Sequence, residues 1–294
     1  MSPVFPRAAR GGMAGADKDH TQMKPLFAAL ALTLALPAPA AQMAVERQFA
    51  PKSVLVDPRF EASDEASPVI VDHGRWGRFL DAYVVKGPAG INLVRYKAVT
   101  AADKAMLAAY IDALAATDAA ALPRKEQLAL WINLYNAATV KLILDHPGIA
   151  SILDIEKPWD RPVATVGVRA LTLNDIEHGI IRPLAKDARV HYAVNCASMG
   201  CPNLARAPFT GAGLDAALDA AARAYVNHPR GVSVTKGKAR LSKIFGWYRD
   251  DFGKDDAALI DHIRLYAEPA LAARLKRVKR ADSYDYDWAL NAAE

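Results

Sequence analysis

Long apolar runs are scarce in this sequence. The one near the start, Leu26 to Leu36, falls short of the roughly 20 apolar residues a membrane span needs, and no other window approaches that length. No transmembrane segment is expected in the mature chain. Internal repeats, long linkers and low-complexity tracts are also missing beyond that run, which makes one domain the simplest organisation. No βαβ rhythm recurs, which argues against a doubly wound parallel sheet. Charge of one sign is not concentrated either. The nominal charge is +5, and the basic residues are dispersed apart from Arg274, Lys276, Arg277, Lys279 and Arg280. Such a cluster can bind phosphates, but a solvated helix face explains it more simply. Without a basic stripe, no nucleic-acid partner is expected.

What stands at the start has two layers. Residues 1–22 are polar and glycine-rich. Met23-Lys24, the apolar run and Ala38-Pro39-Ala40-Ala41 then follow as a positive n-region, a short h-region and an A-x-A-like cleavage site. Residues 1–22 thus read as an over-called extension, 23–41 as a signal peptide, and 42–72 as an extended lead-in to a domain over 73–294. An uncleaved N-terminal anchor stays open as the alternative. Cleavage near Ala41 leaves roughly 250 residues. It removes four basic and two acidic side chains, for a residual charge of +3. The expected location is periplasmic or secreted.

Cysteine is nearly absent. Cys196 and Cys201 are the only two, both downstream of the signal. In an oxidising compartment so close a pair suggests a disulfide, worth about 2 kcal/mol for so small a loop. Free or reactive thiols stay open, as does zinc held by the two sulfurs with His178 and His191. No histidine pair stands at convincing ligand spacing, and no metal or cofactor is expected.

Helical spacing predicts helices over His73–Val85, from Thr100 to Leu114, and over Lys125–Asp145. Val163–Val166 and Val168–Leu171 form a hairpin around Gly167. Thr172 and Asp175 stand at capping-box spacing and open a helix that Pro183 stops near Ile181. Val190–Val194 reads as a buried strand, and Gly213–Val226 as an alanine-rich helix. Gly231–Thr235 pairs with Lys238–Leu241. Short helices follow from Ser242 to Phe252, over Asp255–Tyr266 and over Pro269–Lys276. The fold class is α+β: a mostly helical single domain with short strands and hairpins.

Three places could carry chemistry. The Lys125–Asp145 helix is apolar nearly all round and therefore buried. It carries Asn133 and Asn136 three residues apart, on one face. They either bond neighbouring backbone or line a polar pocket. Next, Glu177, His178 and Arg182 share a short helix; His178 could serve as acid or base near neutral pH, and a surface or capping role is the alternative. Finally, His191, Asn195, Cys196 and Ser198 flank a strand and its small-residue loop. An extended strand would hold His191 and Cys196 about 16 Å apart, which counts against a Cys–His pair unless the loop folds back.

Taken in order, WINLYNA, LTLNDIEHGIIR, HYAVNCASMGCP, RLSKIFGWYRDDFG and YDYDWALN resemble the DUF547 family over roughly Arg75 to Asn291. That family is uncharacterised, so the resemblance implies membership and no reaction. It directs attention to the polar residues inside those motifs, Trp247 and Asp287-Trp288 among them. A buried helix followed by a strand opening with histidine is also similar, at the level of fold alone, to papain- and transglutaminase-like hydrolases. In those the helix begins with a nucleophilic cysteine, and none stands here.

The reading that follows is an exported protein whose polar pocket lies between the asparagine helix, the Glu177–His178 helix and the cysteine loop. His191 and Cys196 are the catalytic candidates. Asn133, Asn136, Glu177, His178, Arg182, Asn195 and Ser198 are the binding candidates. The partner would be a small molecule or a protein, with hydrolysis or ligand binding as the function. The alternative is a non-catalytic structural or interaction domain held by a Cys196–Cys201 bond.

Overall fold

The asparagine helix is the axis on which the rest is built. The structure, a computed structural model, describes residues 39–294; the expected extension, and the signal peptide as far as residue 38, lie outside the described residues. Helix α1 (Pro39–Phe49) precedes α2 (Gly74–Tyr83), strands β1 (Val84–Lys86) and β2 (Asn92–Val94), α3 (Ala101–Ala115) and α4 (Arg124–Leu144). Then come β3 (Pro162–Val166), β4 (Arg169–Thr172), α5 (Leu173–Ile176), a π turn (Glu177–Ile181) and α6 (Arg182–Ala185). The C-terminal part holds α7 (Leu214–Val226), β5 (Val232–Thr235), β6 (Lys238–Ser242), α8 (Lys243–Trp247), α9 (Arg249–Phe252), α10 (Asp256–Tyr266), α11 (Pro269–Leu275) and β7 (Ser283–Asp285). Helices dominate and the sheets are small, so the fold is α+β.

Most elements arise where local chemistry asks for them. Thr100 caps α3 by accepting from the Asp103 amide, and Thr172 and Asp175 close a reciprocal capping box on α5. The β3–β4 and β5–β6 hairpins turn through Gly167 and Lys236-Gly237, all at positive φ.

The core has two parts. One gathers α2, α3 and α4 around Trp76, Phe79 and Trp131. The other gathers α7 to α11 and the β5–β6 hairpin around Tyr192, Tyr225 and Phe245. Helix α4 is buried along nearly its whole length, as its all-round apolar sequence requires.

Three expectations need correcting, and one strand pairing was not foreseen. The lead-in is not wholly extended: α1 is helical, with Met43 buried and Glu46 accepting from Lys243 Nζ (2.7 Å) and Trp247 Nε1 (2.9 Å). A side chain at Gly246 would strike Met43, so glycine lets the helix dock. Pro183 does not stop the α5 helix. The π turn lies just ahead of it, and the helix runs on to Ala185 with Pro183 in the first turn of α6, where its missing N–H costs nothing.

The Val190–Val194 run is not a strand either. It starts in a 3-10 turn (Ala188–Tyr192) capped by Asp187, whose side chain accepts from the Arg189 amide. Its apolar side chains are buried within the two cores rather than on a sheet, so periodicity alone misread it. Finally, β7 adds to β6 in parallel, giving the order β5-β6-β7. A parallel partner more than 40 residues away leaves no local signature.

Candidate functional site

Where the two cores meet, a cavity of about 80 Å³ opens. Helix α4 contributes Tyr135, the π turn Glu177 and His178, and the 3-10 turn His191. Tyr248, between α8 and α9, and Tyr286, just beyond β7, close the facing side. Trp159, Trp247 and Trp288 form an aromatic rim, the Trp288 ring lying 5.8 Å from Trp159 and 5.7 Å from Trp247. Glu46 and Pro51 complete one wall, and Cys196 and Cys201 another.

His191 is held from two sides. Its Nε2 lies 2.7 Å from Asp251 Oδ2, and its ring stacks on Tyr248 at 4.3 Å. Burial alone would raise the Asp251 pKa. The hydrogen bonds from His191 and Arg182 outweigh burial and hold the carboxyl well below its ordinary range. Asp251 is therefore a carboxylate and can only accept, which puts the proton of neutral His191 on Nε2 and the lone pair on Nδ1. That Nδ1 is buried with no hydrogen-bond partner in the protein. Burial also lowers the His191 proton affinity, so the ring is neutral at pH 7.

Glu177 stands next to that nitrogen, its Oε1 3.8 Å from His191 Nδ1 and 3.9 Å from His178 Nδ1. Neither contact is an ion pair, because both histidines are depressed by burial. The carboxyl is buried; desolvation pushes its pKa up to about 7 against the opposing hydrogen bond from Tyr135. At neutral pH Glu177 is therefore divided between acid and carboxylate. Arg182 Nη1 donates to His178 Nδ1 (3.1 Å) and to the Pro51 carbonyl (2.7 Å), and its Nε donates to Asp251 Oδ2 (2.7 Å). An arginine never accepts, so the proton of neutral His178 resides on Nε2. The π turn enables this arrangement: widening the helix at Glu177–Ile181 places Glu177, His178 and Arg182 together on the buried side.

The cysteine loop reaches the cavity by a different route. Cys196 and Cys201 are joined by a disulfide, which leaves neither sulfur free as a zinc ligand. Among the described residues no group of three His, Cys, Asp or Glu side chains is arranged to hold a metal ion. Asn195 fixes the loop from inside, accepting from the Ala197 amide (2.9 Å) and donating to the Pro202 carbonyl (2.7 Å). The C-terminal segment straps it from outside, the Met199 and Gly200 amides donating to the Ala289 and Asp287 carbonyls at 2.8 Å each. A Cβ at Gly200 would lie 2.8 Å from the Asp287 nitrogen, so only glycine permits this approach.

Of the nine side chains singled out from sequence, the structure gathers Glu177, His178, His191 and Cys196 at the cavity, with Arg182 and Ser198 one contact behind them. Asn133 and Asn136 are elsewhere. Asn133 exchanges two hydrogen bonds with the Phe209 backbone (2.8 and 3.0 Å), and Asn136 bonds the Ala193 carbonyl and the Asn195 amide (2.9 Å each). Neither lines the cavity; both lock loops, and Asn136 thereby seats the cysteine loop. Sequence reasoning missed Asp251, Tyr248, Tyr135, Tyr286 and Glu46. Asp251 lay inside a quoted motif, but nothing local separates it from its neighbour Asp250, which is exposed.

Among the described residues no helix is long and apolar enough to cross a membrane. No curated protein and no solved structure matches the chain. Residues 119–226 match the family model DUF547, described as a protein of unknown function. That span holds α4, the π turn and the cysteine loop but stops short of Asp251, Tyr248 and Tyr286. Helix α4, Glu177, His178, Arg182, His191 and both cysteines thus belong to a DUF547 domain.

Proposed function

We propose that the protein is an enzyme that hydrolyses a small molecule by acid–base chemistry in this cavity. One observation carries the proposal: a histidine oriented by a half-buried carboxylate presents an unpartnered Nδ1 beside a carboxyl whose pKa lies near 7. Two groups with proton affinities driven apart or toward neutrality by their surroundings are what acid–base catalysis needs. His191 Nδ1 is the base that takes a proton from an attacking water. Glu177, in its acid form, donates to the leaving group. At 3.8 Å the two are close enough for one water to reach both. Asp251 and Arg182 are positioning residues, since each acts through His191 or His178. The tryptophan rim supplies an apolar surface for the body of the substrate.

The test is a screen of chromogenic aryl esters, anilides and aryl glycosides, followed by variants on any substrate turned over. His191→Ala should lower kcat/KM by roughly 10²–10⁴ while leaving the melting temperature near that of the parent. No turnover of any class, or an unaffected His191→Ala enzyme, would sink the proposal. Export is proposed with it, supported by the Met23–Ala41 pattern and by the disulfide. A mature N-terminus near Ala41 in the intact mass is the expected result.

A further inference from the structure

The donors around the disulfide exceed what a disulfide can use. Tyr286 places its hydroxyl 3.0 Å from Cys196 Sγ and 3.1 Å from Cys201 Sγ. Ser198 Oγ donates to the Tyr286 oxygen (3.0 Å), which leaves the Tyr286 proton for sulfur. The Cys196 amide points at Cys201 Sγ (2.9 Å). Disulfide sulfur is a weak acceptor and gains little from such donors, whereas a thiolate is a strong acceptor of charge-assisted hydrogen bonds. Burial holds the Tyr286 phenol well above its ordinary range, so it remains a donor. The cradle is therefore built for the reduced state.

Access separates the two sulfurs. Cys201 is buried and Cys196 is half-buried, and both line the cavity. Ala197, between them in the loop, is held at φ 61°, a left-handed conformation unfavourable for a residue with a Cβ. Asn195 and the C-terminal strap hold it there.

We propose that Cys196–Cys201 is a redox-active disulfide that exchanges with a low-molecular-weight thiol entering the cavity. The incoming thiolate, its proton left to water, attacks Cys196 Sγ. The Cys196–Cys201 bond breaks, and its electron pair departs on Cys201, where the Cys196 amide and the Tyr286 hydroxyl receive the charge. A second thiolate then attacks the external sulfur of the mixed disulfide and releases Cys196. Two thiols become one external disulfide, the protein gains two thiol groups, and no further oxidant is needed. The exchange is independent of the hydrolytic reading, because it uses neither Glu177 nor His191.

Reduced glutathione serves as the probe. The folded protein is equilibrated with glutathione redox buffers, and thiols are counted by alkylation and mass. Native protein should become reduced within the buffer range, and Cys201→Ser should accumulate a mixed disulfide on Cys196. Tyr286→Phe should shift the exchange equilibrium toward the disulfide by roughly tenfold, the value of a lost hydrogen bond to a charged acceptor. Ser198→Ala, which removes the bond behind Tyr286 and a longer contact with Cys196 Sγ (3.3 Å), should shift it less. A bond that resists glutathione until the chain unfolds would overturn the proposal, as would a Tyr286→Phe equilibrium equal to that of the parent. Glu177→Gln should abolish hydrolysis and leave the exchange intact, so the two readings fail separately.

Discussion

Two sets of buried polar residues meet the middle of α4, one carried on the helix and one packed against it, and they are satisfied in opposite ways. Asn133 and Asn136 spend both amide groups on backbone atoms of distant loops. Around Tyr135, between them in sequence, the neighbours are ionisable: Glu177, His178, His191 and Arg182, with Asp251 as counter-charge. Each asparagine has both its amide nitrogen and its amide oxygen engaged by backbone. The ionisable cluster leaves His191 Nδ1 open and Glu177 at the edge of ionisation. A fully matched amide network fixes geometry; a group kept short of partners stores reactivity. The first set seats the loops on which the second depends, since Asn136 holds Ala193 and Asn195 on either side of the route from His191 to Cys196.

The comparison can be broken most forcefully at Glu177. Its folded pKa is raised, so its contribution to stability is complete below the ordinary carboxyl range and is lost as pH rises to about 7. Glu177→Gln should therefore stabilise the protein above pH 7, by up to about 3 kcal/mol, and gain little below pH 4. Chemical denaturation across that pH range reads the slope directly; parallel curves for parent and variant would remove Glu177 from the reactive set. The asparagines should behave oppositely, with no pH dependence and a loss at every pH. Asn136→Ala strands the Asn195 amide and the Ala193 carbonyl, so a cost of roughly 1–3 kcal/mol is expected in urea unfolding. A variant as stable as the parent would show that these backbone bonds are dispensable.

The smallest effect is expected at Thr139. Its hydroxyl bonds only the Tyr135 carbonyl one turn back in the same helix (2.9 Å). Thr139→Val keeps the shape and removes a bond the helix does not need, for under about 1 kcal/mol. A larger loss would mean that α4 itself, and not its loop contacts, carries the difference.

Much of the frame was legible. The span of α4, the caps at Thr100 and Thr172 and the hairpins at Gly167 and Lys236-Gly237 follow from residues a few positions apart, and the structure has them. The site was legible only as a set of suspects. Glu177, His178 and His191 were picked out as polar residues in apolar surroundings, but His191 was placed on a strand that does not exist. Asp251, 60 residues further on, was not separated from Asp250. The equal standing of Asn133 and Asn136 with the ionisable residues was also a limit of sequence: a buried amide in a motif looks the same whether its partner is backbone or ligand.

The helical frame, the turns and the burial of α4 follow from the residue order alone, because propensity, capping and apolar periodicity act between near neighbours. Which polar residues meet, which nitrogen of His191 carries the proton, and that Tyr286 faces both sulfurs are set by the folded arrangement. Those outcomes depend on desolvation and on hydrogen bonds between segments far apart in the chain, and both exist only once the two cores have closed on the cavity.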